Sequence, residues 1–364
     1  MRRGRLSLTF GLTSMLLGAL ALAAPAADYT AGMKSGAPDL KMAGPITFGP
    51  DGILFIGDPV SAAVFAIDTG DRKAGGSPAK VEVEAVNEKI ASLLGTAPDE
   101  IMINDLAVNP ASGKAYLSIA RGRGPEAMPV LVRVDRTGKL EEVSLKHATF
   151  SKAVLPNPPG QERQRMESIT DLGYIDGRVY VAGLSSEEFA SRLRSLDFPF
   201  KVSDSGSSVE IYHGSHGQFE TRSPVRTFAP YTIDHEPYLL AAYTCTPLVK
   251  IPVSQLKPGM HVKGVTVAEL GNRNRPLDMV VYQKGGKDYI LVANSSRGVM
   301  KITTDNIGKV EAITQRISDK SGLTYETLDQ LKGVQQLDRL DKDNVLLLVR
   351  AESGGMSLQT IPLP

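Results

Sequence analysis

The stretch MESITDLGYIDGRVYVAGL (residues 166–184) decides the fold. Its apolar residues alternate with other residues on both sides of Asp176-Gly177, a two-residue turn signal, and this pattern is typical of a β-hairpin. Five degraded copies of the pattern occur elsewhere in the chain, beginning near Gly44, Ile103, Tyr231, Pro276 and Leu337. One hairpin that recurs six times along the chain predicts a repeat architecture.

The number and spacing of the copies favour an all-β fold, a six-bladed β-propeller with short helical insertions. The copies recur roughly every 50 to 65 residues, longer than the ~40–50 of compact blades, which leaves room for insertions. Helical insertions are predicted at residues 87–94, 187–196 and 325–331. A β-sandwich or jelly roll also contains many short strands, but it gives no reason for one hairpin pattern to recur.

The amino-terminal region divides into two parts before the repeats begin. Residues 1–26 open with MRRGR, continue through an apolar run and end in Ala24-Pro25-Ala26, a pattern that indicates a secretory signal peptide. Residues 27–43 form a leader, and its residues 39–42 could supply a strand that closes the ring. Residues 44–364 are predicted to be the propeller domain. We therefore expect a periplasmic or secreted protein with no transmembrane segment after signal removal.

Composition narrows the possible functions. Lys and Arg together number 41 against 40 Asp and Glu, so no long-range field favours nucleic acid as a partner. Cys245 is the single cysteine, which excludes an internal disulfide and leaves stability to packing. The chain has no CxxCH haem motif, no Gly-x-Ser-x-Gly nucleophile elbow and no phosphate-binding glycine loop.

Acidic residues recur at one position of the repeat. The loops before the first strand and after the second strand of each hairpin emerge at one end of a propeller, here called the loop face. Asp105, Asp171 and Asp278 occupy equivalent places there, with Asn104 beside the first. Such a ring of oxygen atoms could bind a divalent cation such as calcium. The same aspartates could instead accept backbone N–H groups and fix the turns between blades.

Arginines are the more distinctive feature of the predicted loop face. Guanidinium groups suit carboxylate or phosphate ligands through bidentate hydrogen bonds, although they could equally pair with the aspartates of the channel. The candidate ligand-binding residues are Arg165, Tyr243, Arg273, Arg275, Asn294, Arg297 and Arg350. Elsewhere, His213 and His216 have a metal-like spacing within a turn, which without further ligands favours a solvated pair.

One repeat carries a family resemblance. INDLAV (residues 103–108) followed by GKAY (residues 113–116) resembles the N-D-x-x-V…G-x-x-Y blade signature of gluconolactonase-like and NHL-type six-bladed propellers. The resemblance implies a divalent cation in the channel held by Glu, Asn and Asp, with Asn104 and either Asp171 or Asp278 in or near that role. The first blade departs from the pattern, because Gly44-Pro45-Ile46-Thr47 stands where the family has its Glu ligand.

Three functions are compatible with these features. The first is an exported binding protein that uses the loop face around the channel for a small, anionic ligand or for a protein partner. The second is a metal-dependent, lactonase-like hydrolase, in which a cation polarises a carbonyl and activates water. The third is a scaffold that contacts cell-envelope proteins. An arginine-lined pocket favours the first, convergent oxygen ligands the second and a flat apolar patch the third.

Overall fold

The computed structural model describes residues 28–73, 80–245 and 247–364. These residues form β-strands joined by turns, together with two short α-helices, Val86–Leu94 and Glu162–Arg165. Short 3₁₀ turns occur at Pro50–Gly52, Pro98–Glu100, Gly124–Glu126 and Val253–Gln255. No helix in the described ranges is long and apolar enough to cross a membrane. The predicted signal peptide, residues 1–26, lies outside them and stays a prediction.

The described strands form the six sheets of a β-propeller, which confirms the predicted fold class. We number the blades 1 to 6 by the position of the innermost strand in the sequence, and we give the strands of each blade from the channel outward. Blade 1 comprises Ile46–Phe48, Ile53–Asp58, Ala63–Asp68, Ala148–Val154 and Lys34–Gly36. Blade 2 comprises Ile101–Val108, Ala115–Arg121, Met128–Val134 and Leu140–Glu142.

Blades 3 and 4 have additional strands at their outer edges, whereas blade 5 has four strands and blade 6 has three. Blade 3 comprises Asp171–Ile175, Arg178–Leu184, Ser191–Asp197, Ser207–His213, Gln218–Glu220 and the parallel strand His261–Lys263. Blade 4 comprises Val225–Ile233, Glu236–Tyr243, Pro247–Pro252, Val265–Leu270 and Lys320–Gly322. Blade 5 comprises Pro276–Lys284, Lys287–Asn294, Gly298–Thr303 and Tyr325–Leu328. Blade 6 comprises Val334–Arg339, Asn344–Arg350 and Met356–Pro362.

Apolar packing between neighbouring blades holds the ring together. Six hydrophobic clusters each join side chains from two adjacent blades. The second strand of a blade is therefore buried on both faces, as in Ile53–Asp58, where all six residues are buried. Each large apolar side chain buried in this way contributes roughly 1.5–3 kcal/mol of transfer free energy. The strands consequently have nearly continuous apolar runs rather than strict alternation.

The order of the blades around the ring differs from their order in the sequence. The inner strands and the clusters place them as 3, 4, 5, 6, 2, 1, so blade 2 lies between blade 6 and blade 1. The chain makes three strands of blade 1, passes to blade 2, and then returns through Ala148–Val154, which pairs with Ala63–Asp68. A strand that follows blade 2 in sequence thus completes blade 1.

The ring is closed by an internal segment rather than by the leader. Val83 exchanges two backbone hydrogen bonds with Leu358, with N···O distances of 3.0 and 2.9 Å, and so extends the outer edge of blade 6. This corrects the expectation for residues 39–42. The leader instead pairs through Lys34–Gly36 at the outer edge of blade 1. Val81 and Val83 carry buried side chains that pack between blades 2 and 6, whereas the leader strand has none fully buried.

One of the three predicted helices is confirmed. Val86–Leu94 buries Val86, Ile90 and Leu94 along one face against blades 2 and 6. The helices predicted at residues 187–196 and 325–331 are wrong, because Ser191–Asp197 and Tyr325–Leu328 are strands of blades 3 and 5.

Candidate functional site

The innermost strand of each blade lines the channel. The residue at one position near the start of each of these strands determines the chemistry of the channel. Within blades 2, 4, 5 and 6 a bulge precedes this position. In ring order from blade 3, the residues there are Asp171, Thr227, Asp278, Gln336, Asp105 and Pro45. Aspartate therefore alternates with a non-acidic residue around the channel. We call these three aspartates the carboxyl ring.

Each member of the carboxyl ring joins two blades. One carboxylate oxygen of Asp171 accepts the N–H of Leu172 at 2.8 Å, and the other accepts the N–H of Phe228 in blade 4 at 2.7 Å. Equivalent pairs of contacts, all 2.7–2.8 Å long, link Asp105 to Leu106 and Ile46, and Asp278 to Met279 and Leu337. The predicted backbone-fixing role is thus realised between blades rather than within one turn.

A fourth aspartate lies one pleat further along the channel. Asp338 of blade 6 accepts the N–H groups of Arg339 and of Val108 in blade 2, both at 2.7 Å. It lies two residues beyond Gln336 on the same strand, so both side chains share a face. The channel beside these carboxyl groups is a cavity of about 420 Å³.

Burial makes ionisation of these carboxyl groups unfavourable. It raises the pKa of Asp171 to about 7 and that of Asp338 to about 6. Burial also raises the pKa of Asp105 and of Asp278 well above the usual value, and repulsion from neighbouring aspartates adds to the effect. Among the described residues, no ion pair joins the carboxyl ring to an arginine. The arginines therefore do not neutralise the ring through ion pairs.

A second cavity opens at the loop face, next to the carboxyl ring. This mouth pocket has a volume of about 370 Å³ and is bounded by residues that precede or occupy the ring position, including Pro45, Asn104 and Gln336. Its charged residues are Arg163, Arg226, Arg275 and Glu167. Three guanidinium groups therefore share the pocket with one carboxylate.

Only one of the three arginines is paired with another described residue. Arg226 donates to Glu167 Oε1 at 2.7 Å and to Thr244 Oγ1 at 2.8 Å. The side chains of Arg163 and Arg275 have no hydrogen bond or ion pair within the described part of the chain. Burial lowers the pKa of Arg275, and the neighbouring Arg226 lowers it further while Glu167 opposes the shift. The mouth pocket is thus a site with excess positive charge.

The structure gathers only part of the predicted ligand set at the mouth pocket. Arg275 and Asn104 line it, and the Asn104 amide donates to the Ala43 carbonyl oxygen at 2.8 Å. Arg165 is half-buried at the end of the short helix Glu162–Arg165, outside the pocket lining. Arg273 and Arg350 are exposed and also lie outside that lining.

Three predicted ligand residues contact other parts of the protein and do not line the mouth pocket. Tyr243 is 1% exposed and packs in the core between blades 3 and 4, because it ends a second strand whose two faces are covered. Asn294 is buried and donates to the carbonyl oxygens of Val292 and Gly298. Arg297 donates to the Asn272 carbonyl oxygen and pairs with Asp319 at 3.2 Å. All three lie outside the lining of the mouth pocket, and a ligand-binding role for them stays a prediction.

Sequence reasoning missed two residues of the site, Asp338 and Arg226. Alternation from Gln336 would have placed Asp338 on the channel side. Arg226 directly precedes Thr227, at a bulge that the hairpin pattern of the sequence does not reveal.

Comparisons with known proteins give no information about the role of this site. No protein-family model matches the sequence, and no curated protein is similar to it. Among solved structures, a putative oxidoreductase (glucose dehydrogenase) from Thermus thermophilus is similar over 91% of this chain and 100% of its own, with 12% identity and a TM-score of 0.38.

Two further structures are similar in the same degree. The PQQ-bound aldose sugar dehydrogenase from Streptomyces coelicolor matches 90% of this chain and 96% of its own, with 11% identity and a TM-score of 0.37. A GH43 endo-arabinanase from Bacillus licheniformis matches 73% of this chain and 95% of its own, with 13% identity and a TM-score of 0.35. These values carry no information on activity or ligands.

Proposed function

We propose that this protein is an exported β-propeller that binds a small anionic molecule in the mouth pocket. One observation carries the proposal: Arg163 and Arg275 line a pocket of about 370 Å³ without an acidic partner, while the single glutamate there is engaged by Arg226. The volume falls within the roughly 300–1,000 Å³ usual for small-ligand pockets. Guanidinium groups held in a concave site suit a carboxylate or phosphate through charge-assisted bonds.

The carboxyl ring sets the orientation of such a ligand. Its acidic groups lie next to the mouth pocket and resist ionisation, so a second anionic group would be unfavourable at that depth. The anionic end of the ligand should therefore contact Arg163 and Arg275, and hydroxyl groups should point towards the ring. Hydroxyl donors complement carboxyl oxygens, whose remaining lone pairs are available. A hydroxycarboxylate fits both ends of the site.

Calorimetric titration with three probes, citrate, gluconate and inorganic phosphate, tests the proposal. Arg275→Gln and Arg163→Gln should each weaken binding of a bound probe by about 10–100-fold, the effect of losing a hydrogen bond to a charged group, worth ~1.5–3 kcal/mol. Arg350→Gln is the matched control, because this arginine is exposed, as Arg163 and Arg275 are, but lies outside the pocket lining. Equal binding by all four proteins, or no binding of any probe, would contradict the proposal.

A second function, a metal-dependent hydrolase, is favoured by the convergence of carboxyl groups in the channel. Neighbouring aspartates raise the cost of ionising Asp105 and Asp278, which a divalent cation would relieve. Against it, every oxygen of the ring already accepts a backbone N–H, and Pro45 occupies the ring position in blade 1.

Calcium separates the two functions. At a hundred times its dissociation constant, a cation that binds only the folded chain would stabilise the fold by about 2.7 kcal/mol. The double change of Asp171 and Asp278 to Asn should remove that gain if the ring binds calcium. Export stays a prediction and is tested by cell fractionation, in which removal of residues 2–26 should retain the protein in the cytoplasm. The scaffold alternative also stays a prediction.

A further inference from the structure

A cluster of two histidines and a glutamate lies at the outer edge of blade 3, away from the channel-lining strands. His213 ends the strand Ser207–His213, and Glu220 ends the neighbouring strand Gln218–Glu220. The register pairs Glu220 with Ile211, two residues before His213, so His213 and Glu220 share a face of the hairpin. His216 lies in the turn between the strands and folds over the same face.

The ligand atoms of these side chains converge. One ring nitrogen from each histidine and a carboxylate oxygen of Glu220 all lie within 4.8 Å of one another. The Nδ1 atoms of His213 and His216 lie 3.0 and 2.5 Å from separate oxygens of Glu220. The two imidazole rings are 3.9 Å apart between centroids. Two imidazoles and a carboxylate therefore face one point.

Burial of His213 supplies a second, independent observation. Its side chain is 2% exposed, and its Nε2 atom has no hydrogen-bond partner within the described part of the chain. Buried polar atoms are normally hydrogen-bonded, and burying one without a partner costs free energy. The hydrogen bond to Glu220 thus accounts for the Nδ1 atom of His213 but leaves the buried imidazole with one nitrogen unsatisfied.

Neighbouring groups hold the cluster in place. Ser223 Oγ donates to Glu220 Oε2 at 2.7 Å and fixes the carboxylate. The turn that carries His216 is held at Gly214, whose N–H donates to Glu269 at 2.6 Å and whose carbonyl oxygen accepts the N–H of Ile317 at 2.9 Å. These contacts come from blade 4 and from the segment between the third and fourth strands of blade 5. The site is therefore organised before any ligand binds.

We propose that His213, His216 and Glu220 form a binding site for a divalent ion of the zinc class, with solvent in the fourth position. Imidazole nitrogen together with carboxylate oxygen suits zinc, whereas calcium and magnesium take oxygen ligands. Tetrahedral zinc with bonds of about 2.0–2.1 Å needs ligand atoms about 3.4 Å apart. The N···O distances of 3.0 and 2.5 Å require only small outward movements.

The open coordination position should face solvent. His216 keeps 48% of its side chain exposed, so water reaches the cluster from that side. The interpretation of the histidines as a solvated pair therefore describes His216 but not the buried His213. The site lies outside the mouth pocket and is independent of the anion-binding function proposed above.

Calorimetric titration of chelator-treated full-length protein with zinc chloride tests this site. We expect one zinc ion per chain. His216→Ala and Glu220→Gln should abolish this binding, and Ser223→Ala should weaken it by about 10–100-fold, the usual effect of losing an outer hydrogen bond to a ligand. His147→Ala is the control, because this histidine is exposed and distant in sequence from the cluster.

The visible absorption of bound cobalt reports the coordination geometry of the ion independently of its affinity. Cobalt bound to the wild-type protein should show the visible absorption of a four-coordinate ion, and His216→Ala should lose it. Circular dichroism of each variant establishes that it is folded, and Ser223→Ala, which alters no ligand, guards against a folding defect. Absence of zinc binding in the wild-type protein, or wild-type affinity in both ligand variants, would overturn the proposal.

Discussion

The carboxyl ring makes a prediction about the pH dependence of stability, with Asp171→Asn as the perturbation. The pKa of Asp171 is about 7 in the folded protein, against a usual 3.8. Below pH 3.8 the carboxyl group is protonated in both states. As the pH rises, the unfolded chain ionises first, while the folded chain keeps its proton until about pH 7. The stability of the wild-type protein should therefore fall across this window and level off above it.

The magnitude follows from the width of that window. Each unit of pH between the two pKa values changes the free energy of unfolding by about 1.36 kcal/mol. Between pH 5 and pH 8 the contribution of Asp171 should thus fall by roughly 2–3 kcal/mol, an upper value because water reaches the channel. The asparagine side chain of the Asp171→Asn variant carries no charge and removes this slope. It also loses an acceptor for Leu172 or Phe228, which costs about 1–3 kcal/mol at every pH.

Urea unfolding followed by circular dichroism, at pH 5, 6, 7 and 8 in calcium-free buffer, measures the effect. The difference in free energy of unfolding between wild type and Asp171→Asn should shrink by roughly 2 kcal/mol from pH 5 to pH 8. Asp176→Asn, at the exposed tip of the same hairpin, is the control and should leave the pH dependence unchanged. Parallel curves for wild type and Asp171→Asn would refute the reasoning.

Thr360→Val should lower the free energy of unfolding by about 2–4 kcal/mol, because the Thr360 hydroxyl accepts the N–H of Val81 and donates to its carbonyl oxygen. Thr360→Ser keeps the hydroxyl and is the control; equal stability of the two variants in urea would contradict the prediction. Cys245→Ser should cost less than about 1 kcal/mol, since the half-buried thiol closes no disulfide, and a variant that fails to fold would contradict this. Added calcium should leave the melting temperature unchanged, whereas a rise abolished by Asp171→Asn would favour the hydrolase.

The sequence was sufficient to predict the propeller but not the order of its blades. Each hairpin repeats one local pattern, and local patterns carry the fold class because alternation and turn signals act within a few residues. Nothing in those patterns says which blade lies beside which. The return of Ala148–Val154 to blade 1 and the pairing of Val83 with Leu358 are long-range contacts, decided by which apolar surfaces remain uncovered.

Burial of the strand Ser191–Asp197 on both faces explains why a helix was wrongly predicted at residues 187–196. Phe189, Leu193 and Leu196 have nearly helical spacing. In the strand Ser191–Asp197, however, Leu193 and Leu196 lie on opposite faces. Arg192 and Arg194 share the face of Leu196 and are also buried, and Arg192 pairs with Glu187. A hydrophobicity pattern counts every charged side chain as exposed. The buried arginines therefore made the sequence of this strand look like that of a helix.

The candidate site was predictable where its residues share one position of the repeat. Asp105, Asp171 and Asp278 share one position of the repeat, and they meet in the channel as that position requires. Tyr243 and Asn294 also lie at equivalent strand ends, but the packing of neighbouring blades turned both side chains inward. The pairing of Arg226 rather than Arg275 with Glu167 depends on side-chain geometry between blades 3 and 4, which no local pattern encodes.

The seam between Val81 and Thr360 bears on how the chain is made. The two residues are 279 positions apart, so the seam cannot form until blade 6 has been synthesised. While the intervening blades are translated, the side of blade 2 that faces blade 6 has no partner. The apolar residues on that side of blade 2 stay exposed until blade 6 covers them. Closure over such a separation is slow, and open apolar edges attract other chains meanwhile. Nascent chains of this protein should therefore depend on a holding chaperone until blade 6 has been synthesised.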